Sequence, residues 1–467
     1  MYKTFAMIER KDDSMEAKNI KKSSKNKENK GIILIALLMS IKVLIIIVAI
    51  TINLLTGDNG VLKKEETNEN SQEEIEEMEE DEIDENEYET MEEETENLVV
   101  NFKNINAENS NPAGTLPVKA TVIEPDANKG IVIKDKNNNE WVWIEVPKDA
   151  AFSGLEIDTT KTLTSKDYED IKNKMISYAK IYNEKRSESW KDEWYDGCGL
   201  TQQEYTQIYR KMLKSTYTYG GFWIGRYEAG IAGSVTDLTK SRTMPTPTPT
   251  SEIISASGTT VKAEKSSTTN STMLLQKAIC QKNAIPYNWV TCSEAQSLAN
   301  EMTPDNKYKS SLLFGIQWDL VCKYLEVKGG LSVSEINEDS SSWGNYRNIK
   351  IENITMGKYA ILDTDTSKLG EWTNIKSVFT KTNSGESSNV LLGTGISEYT
   401  NRMNIYDFSG NEWEWILEKY YDSYDPCARS GGDYCHSGSY SPAANRSYYS
   451  TTKSYNSIGF RPTFYVK

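Results

Sequence analysis

Ile405-Tyr406-Asp407-Phe408-Ser409-Gly410-Asn411-Glu412-Trp413-Glu414-Trp415 is the stretch on which the fold of this 467-residue chain turns. Gly410 marks a turn in which a Cβ would crowd the chain. Trp413 and Trp415 are two apart, so on an extended segment they share one face. The reading is a turn that feeds a strand with both indoles in the core; an exposed pair lining a ligand groove is the alternative.

Upstream, Gly130–Asp135 and Trp141–Val146 alternate like strands, and Asn137-Asn138-Asn139 makes a hairpin turn between them. Residues 165–215 read as helix, with Ile171, Met175, Tyr178, Ile181 and Tyr182 at helical spacing. Gly220-Gly221 precedes a strand, Phe222-Trp223-Ile224-Gly225-Arg226-Tyr227-Glu228. Residues 236–283, with Pro245, Pro247 and Pro249 at alternate positions, read as a mobile Ser/Thr/Pro insertion. Helices are predicted over Ser293–Met302 and Ile316–Leu325. Downstream lie Arg429-Ser430-Gly431-Gly432 and Ile458-Gly459-Phe460-Arg461-Pro462.

The formal charge of -15 is unevenly spread. Residues 65–97 hold 19 Asp and Glu and no Lys or Arg, and residues 1–30 carry +4, so the remainder is neutral. No basic stripe is present, and no nucleic-acid partner is expected. Like charge and few apolar residues predict an acidic disordered linker over 56–116. Residues 31–55 are a 25-residue, largely apolar run whose one charge is Lys42, long enough to cross a membrane as one helix. Lysines 21, 22, 25, 27 and 30 before it place residues 1–30 in the cytoplasm and the rest outside. The predicted location is therefore the cell membrane, single-pass, with the C-terminal domain extracellular. The chain has six cysteines, none spaced as CxxC, and one histidine, His436, which disfavours a zinc site.

The ordered set from Trp141 to Phe464 resembles the formylglycine-generating-enzyme/sulfatase-modifying family. Residues 405–415 look like its G-L-x-D-M-x-G-N-V-W-E-W signature, and residues 286–302 and 312–319 look like two further family stretches. The resemblance implies an α+β, C-type-lectin-like domain with much irregular structure over 117–467, behind a single transmembrane helix. It also implies a Ca²⁺ site made by the side chains of Asp407 and Glu414 and the backbone carbonyls of Ser409, Gly410 and Glu412; hard oxygen donors suit that ion. A capped turn with no ion is the other reading. The family's oxidase branch binds copper through two cysteines. Here Cys435 stands at the first position and Tyr440 at the second, so neither that chemistry nor the histidine-dependent iron chemistry of related enzymes is expected.

Lys30-Gly31 followed by Ile32-Ile33-Leu34-Ile35-Ala36-Leu37 resembles a type IV prepilin-like N-terminus. A prepilin peptidase would then cut between Gly31 and Ile32. Assembling pilins carry Glu where Ala36 stands, so anchoring is expected rather than assembly as a minor pseudopilin.

Residues 433–457 read DYCHSGSYSPAANRSYYSTTKSYNS, dense in Tyr, Ser and Asn, which is the composition of recognition loops. The candidate ligand-binding residues are Asp433, Tyr434, Cys435, His436, Ser437, Ser439, Tyr440, Asn445, Arg446, Tyr448, Tyr449, Tyr455 and Asn456. A polar loop covering the core is the plainer reading. The segment also resembles the ends of variable proteins of diversity-generating retroelements, whose adenine-directed changes turn AAY codons into NNY; Asp, Tyr, Cys, His, Ser and Gly are all NNY products. The function expected is a membrane-anchored display protein whose head contacts an extracellular protein or glycan; the alternatives are a formylglycine-generating-type oxidase or related enzyme, with Cys435 catalytic, and a minor pseudopilin.

Overall fold

The computed structural model describes residues 100–186, 189–231, 252–254, 260–262, 277–365, 367–421 and 424–467. The basic segment 1–30, the apolar run 31–55 with Gly31 and Ile32, and the acidic run 65–97 lie outside the described residues. Among the described residues, no helix is long and apolar enough to cross a membrane.

A six-stranded sheet forms one side of the core. Its strands are β1 (Thr121–Glu124), β2 (Val132–Lys134), β3 (Glu140–Glu145), β5 (Gly221–Gly225), β6 (Tyr308–Leu312) and β11 (Pro462–Val466). They run in the order β1-β2-β3-β5-β11-β6. The β2–β3 hairpin closes as the asparagine turn predicts, with Ile133 opposite Trp141 and Asn138 at φ 65°. A second sheet holds β7 (Trp413–Tyr420), β8 (Cys427–Ser430), β9 (Arg446–Tyr449) and β10 (Ile458–Phe460), with the short β4 (Trp190–Lys191) pairing to β7. Trp141, Trp223, Trp318 and Trp415 are each fully buried in the shared core.

Helices α1 (Ser165–Tyr178), α2 (Gln202–Tyr219), α3 (Cys292–Glu301) and α4 (Gly315–Val327) pack around these sheets. The first three open with reciprocal capping boxes, Thr164 with Asp167, Thr201 with Glu204 and Thr291 with Glu294. Each box satisfies two of the N–H groups that a helix start leaves open. The long helix predicted over 165–215 is broken: helix stops by Arg186, the chain is strand at Trp190–Lys191, and Gly197 and Gly199 take φ +91° and +84° before a new helix starts after Thr201. Left-handed backbone cannot continue a helix.

The expected α+β, C-type-lectin-like head with much irregular structure over 117–467 is overturned; the transmembrane helix expected before it lies outside the described residues. The described chain is a mixed α/β structure, about 24% helix and 26% strand. The caps and the alternating strands organise far more of the chain than the motif spacing suggests. The linker boundary at 116 is also corrected. Ser110 and Thr115 are buried, and they accept hydrogen bonds from the indole N–H groups of Trp143 (2.8 Å) and Trp223 (2.7 Å). Buried indoles require acceptors, and this segment supplies them. Part of the insertion at 236–283 lies outside the described residues; within it Glu252–Ile254 and Thr260–Lys262 pair as a hairpin.

Candidate functional site

The turn at 405–415 is tied to the segment around Asn345 by backbone bonds. Asn345 N–H donates to the Ser409 carbonyl (3.1 Å), Asn411 N–H to the Asn345 carbonyl (2.9 Å) and Gly410 N–H to the Gly431 carbonyl (2.8 Å). Asn411, fully buried, completes the knot. Its amide nitrogen donates to Glu228 (2.6 Å) and the Leu392 carbonyl (3.3 Å); its oxygen accepts from Asn345 Nδ2 (2.8 Å) and Leu392 N–H (3.1 Å). Every hydrogen-bonding position of that amide is used.

The carboxylates of this turn face protein donors. Asp407 accepts from Gly395 N–H and Thr400 Oγ1, both at 2.7 Å. Glu414 is held by Arg461 at 2.7 Å, and Glu412 Oε1 accepts from Asn288 Nδ2 at 2.7 Å. The Ser409 carbonyl already serves Asn345, and Gly410 closes the backbone bridge. The side-chain oxygens of Asp407 and Glu414 are thus turned to protein donors, whereas a calcium ion needs six to eight oxygens aimed at one point. Among the described residues, no group of three or more His, Cys, Asp or Glu is arranged to hold a metal. Burial pushes the Asp407 and Glu414 carboxyls above their usual range, with the Gly395 N–H opposing at Asp407 and Arg461 opposing at Glu414.

The tyrosine-rich segment is divided by the fold. Asp433, Tyr434, Arg446 and Asn456 lie inside, which corrects their reading as ligand contacts. Gly431 and Gly432, at φ +100° and +78°, turn the chain back into the core. Arg446 donates to Asp319 (2.6 Å) and Glu418 (3.1 Å), so it is an internal ion pair. Tyr434 N–H donates to the Asn411 carbonyl (3.0 Å), and the Asn456 carbonyl accepts from Asn288 Nδ2 (2.6 Å). Asn445 is half-buried in a turn onto the Pro442 carbonyl.

Cys435 is half-buried. Burial, followed by the Asp433 charge, pushes its thiol well above the usual range, so it is held protonated; Tyr434 and Arg347 also act on it. Asp433 Oδ1 accepts from the N–H groups of Cys435 (3.0 Å) and His436 (3.1 Å) and lies 2.6 Å from His436 Nδ1. Burial works against the Asp433 carboxylate, yet the charge and hydrogen bond of His436, with Arg429 and the Cys435 N–H, together hold the group below its ordinary value. In turn, the Asp433 charge raises His436 above 6.5. Because this is the only histidine, its ring signal in a proton NMR titration of the full chain is unambiguous. The midpoint is expected above 6.5, and Asp433→Asn is expected to bring it down; an unchanged midpoint would break the assigned pair. The His436 ring stacks on the exposed Tyr440 at 5.3 Å, and Ser437 and Ser439 join hydroxyls beneath (3.2 Å).

No family pattern, curated protein or solved structure compared with this chain matches it. What the chain can do is therefore read from its surface. The second sheet presents an aromatic face. Tyr420 on β7 and Tyr448 on β9 stack with ring centroids 3.9 Å apart and planes 8° apart. Trp190 on β4 packs 4.6 Å from Tyr420, and Tyr421 meets the same ring edge-on at 4.6 Å. Tyr448 is 41% exposed and Tyr421 69%. The next residue along β9, Tyr449, points differently: the Arg429 guanidinium lies 4.3 Å from its ring and 4.7 Å from that of Trp413, and Tyr455 packs 5.0 Å away. Adjacent strand residues face opposite ways, which separates the two tyrosines.

Trp190 and Tyr420 were missed by reading the sequence. Tyr420 continues the β7 alternation that starts at Glu414, and that pattern could have found it. Trp190 arrives from a distant strand and carried no such signal.

Proposed function

We propose that this chain is a surface-displayed binding protein, held at the cell membrane through the apolar segment 31–55. Its tyrosine-bearing face, outside the cell, contacts a protein or glycan. The observation that carries the reading is the Trp190–Tyr420–Tyr448 platform, three rings on three strands of one sheet with Tyr448 open to solvent. Aromatic rings give broad amphipathic contact at small entropic cost, and a sheet holds them more exactingly than a loop would. Tyr440 with His436 offers a second polar-aromatic contact.

The likeness to retroelement variable proteins supports a refinement: side chains that leave the core can be exchanged without loss of fold. Tyr440 and Tyr448 are of that kind, whereas Asp433, Tyr434 and Arg446 are not. A reverse transcriptase gene and a near-copy of the 3′ end of this gene in neighbouring DNA would agree with it.

The test uses cells displaying the full chain, passed over immobilised panels of glycans and extracellular proteins. A panel member that retains them is expected to lose roughly tenfold or more in retention with Tyr420→Ser/Tyr448→Ser, because anchor aromatics dominate contact energy. Equal retention of wild type and variant would sink the assignment of this face.

A further inference from the structure

A cleft of about 470 Å³ lies between α1, α2 and the loop after β4. Trp190, Tyr420 and Tyr448 do not line it. One side of α2 forms a wall: Tyr205, Tyr209 and Leu213 recur four residues apart, with Gln202, Thr206 and Arg210 beside them. Tyr168 of α1 and Trp194 of the loop complete an aromatic lining. The Tyr205 hydroxyl donates to the Leu417 carbonyl (3.1 Å), and the Trp194 indole N–H to the Leu200 carbonyl (2.8 Å). With those polar atoms engaged inside the protein, the rings offer a ligand apolar surface. A concave site of this size, with aromatic sides and few polar groups, suits a small molecule. Five charged side chains line the cleft, and three are already committed. Lys172 pairs with Glu169 (2.7 Å), and Asp192 accepts from the N–H groups of Gly315 (2.7 Å) and Ile316 (3.1 Å) at the start of α4. Arg210 and Glu193 remain. Arg210 Nη2 donates to Ser165 Oγ (3.3 Å) and its guanidinium lies 5.1 Å from the centre of the Tyr168 ring, with no carboxylate partner among the described residues. The Glu193 carboxylate has no ion pair among the described residues.

We propose that this cleft binds a zwitterion with an apolar body, either a free amino acid with a large apolar side chain or a dipeptide of such residues. Its carboxylate sits on Arg210, its ammonium on Glu193, and its apolar part among Tyr168, Trp194 and Tyr209. A guanidinium is a planar fork that meets a carboxylate through two parallel N–H donors. Stacking on Tyr168 and the bond to Ser165 hold that fork before the ligand arrives. An ammonium gains from Glu193 and also from the faces of the surrounding rings. A ligand with only one of the two charges leaves the other side chain unanswered, and specificity for both ends follows.

The site does not rest on the surface-display reading, and Tyr420→Ser/Tyr448→Ser should bind the zwitterion as the wild type does. The full chain is titrated with L-leucine, L-phenylalanine and L-phenylalanyl-L-leucine, and dissociation constants are measured by saturation-transfer NMR. The comparison of amino acids with dipeptide tells the two sources apart. N-acetyl-L-phenylalanine and L-phenylalaninamide, each lacking one charge, complete the set. At least one zwitterion is expected to bind, and capping either end of it to weaken binding roughly tenfold or more, the scale of a lost charged hydrogen bond. Arg210→Gln should remove the preference for the free carboxylate over the amide. Glu193→Gln should remove the preference for the free amine over the acetylated one. Both residues are exposed, so the variants keep the fold. Failure of all three zwitterions to bind, equal binding of the capped forms, or unchanged preferences in both variants would overturn the proposal.

Discussion

Arg461→Met is expected to cost about 3–5 kcal/mol of unfolding free energy, the loss typical of stranding one member of a buried ion pair. Arg461 is fully buried. Its guanidinium donates to both oxygens of Glu414 (2.7–3.1 Å), to the Gly225 carbonyl (3.0 Å) and to the Tyr406 carbonyl (2.9 Å). Gly225 belongs to the first sheet, Glu414 to the second, and Tyr406 to the turn between them. Arg461 itself is the single residue between β10 and β11, where the chain passes from one sheet to the other. Methionine keeps some of the volume and none of the donors. Glu414 would then stand beside Asp407 and Glu228 with no cation. Glu228 already lies well above its ordinary value through burial and then the charges of Glu412, Asp407 and Glu414.

The sign of the pH effect follows. A carboxyl whose folded pKa is raised contributes stability that is full below its unfolded value, near 4.3 for Glu, and is lost as pH rises through the folded value. Removing Arg461 raises Glu414 further, so the deficit of Arg461→Met should be smaller at pH 5 than at pH 8. Urea titrations at both pH values measure this. Adding Glu414→Leu should recover much of the loss, because an apolar pair replaces a buried ion pair with little penalty. A deficit independent of pH, with no recovery, would assign the effect to packing alone.

Gly410→Ala is expected to cost about 2–4 kcal/mol, summing a left-handed backbone penalty of about 1 kcal/mol and overpacking of about 1–3 kcal/mol. Gly410 takes φ +74°, and a Cβ there would lie 2.4 Å from the Asn345 carbonyl oxygen and 2.7 Å from its carbon. These are backbone atoms, fixed by the bridge between Asn345 and Gly410, so they cannot rotate away. Gly154 serves as the control: its φ is +73°, and nothing lies within 4 Å of its Cβ position. Gly154→Ala should show the backbone penalty without the overpacking. Urea midpoints of the two variants separate the terms; equal losses would mean that the Asn345 contact carries no cost.

Much of the local structure was legible because its causes are local. The Gly410 turn, the burial of Trp413 and Trp415 and the asparagine hairpin each rest on neighbouring residues. So do the capping boxes, although the motif reading did not count them, and that is one reason the regular structure was underestimated. The calcium set shows the limit of spacing. Spacing places Asp407 and Glu414 near one turn, but Thr400 and Arg461, which occupy their oxygens, approach from elsewhere in the chain.

The sequence by itself determined which segments turn, cap and alternate, and that the chain's end is dense in tyrosine and serine, because periodicity and turn chemistry act over a few residues. Only the tertiary structure decided which of those side chains face out. Tyr448 and Tyr449 are adjacent and chemically identical, yet one stacks on Tyr420 at the surface and the other packs on Arg429. Arg446 meets Asp319 and Glu418, and Trp190 joins Tyr420, across separations that no local pattern spans. Burial and pairing are properties of the packed whole, so they become fixed when the sheets close.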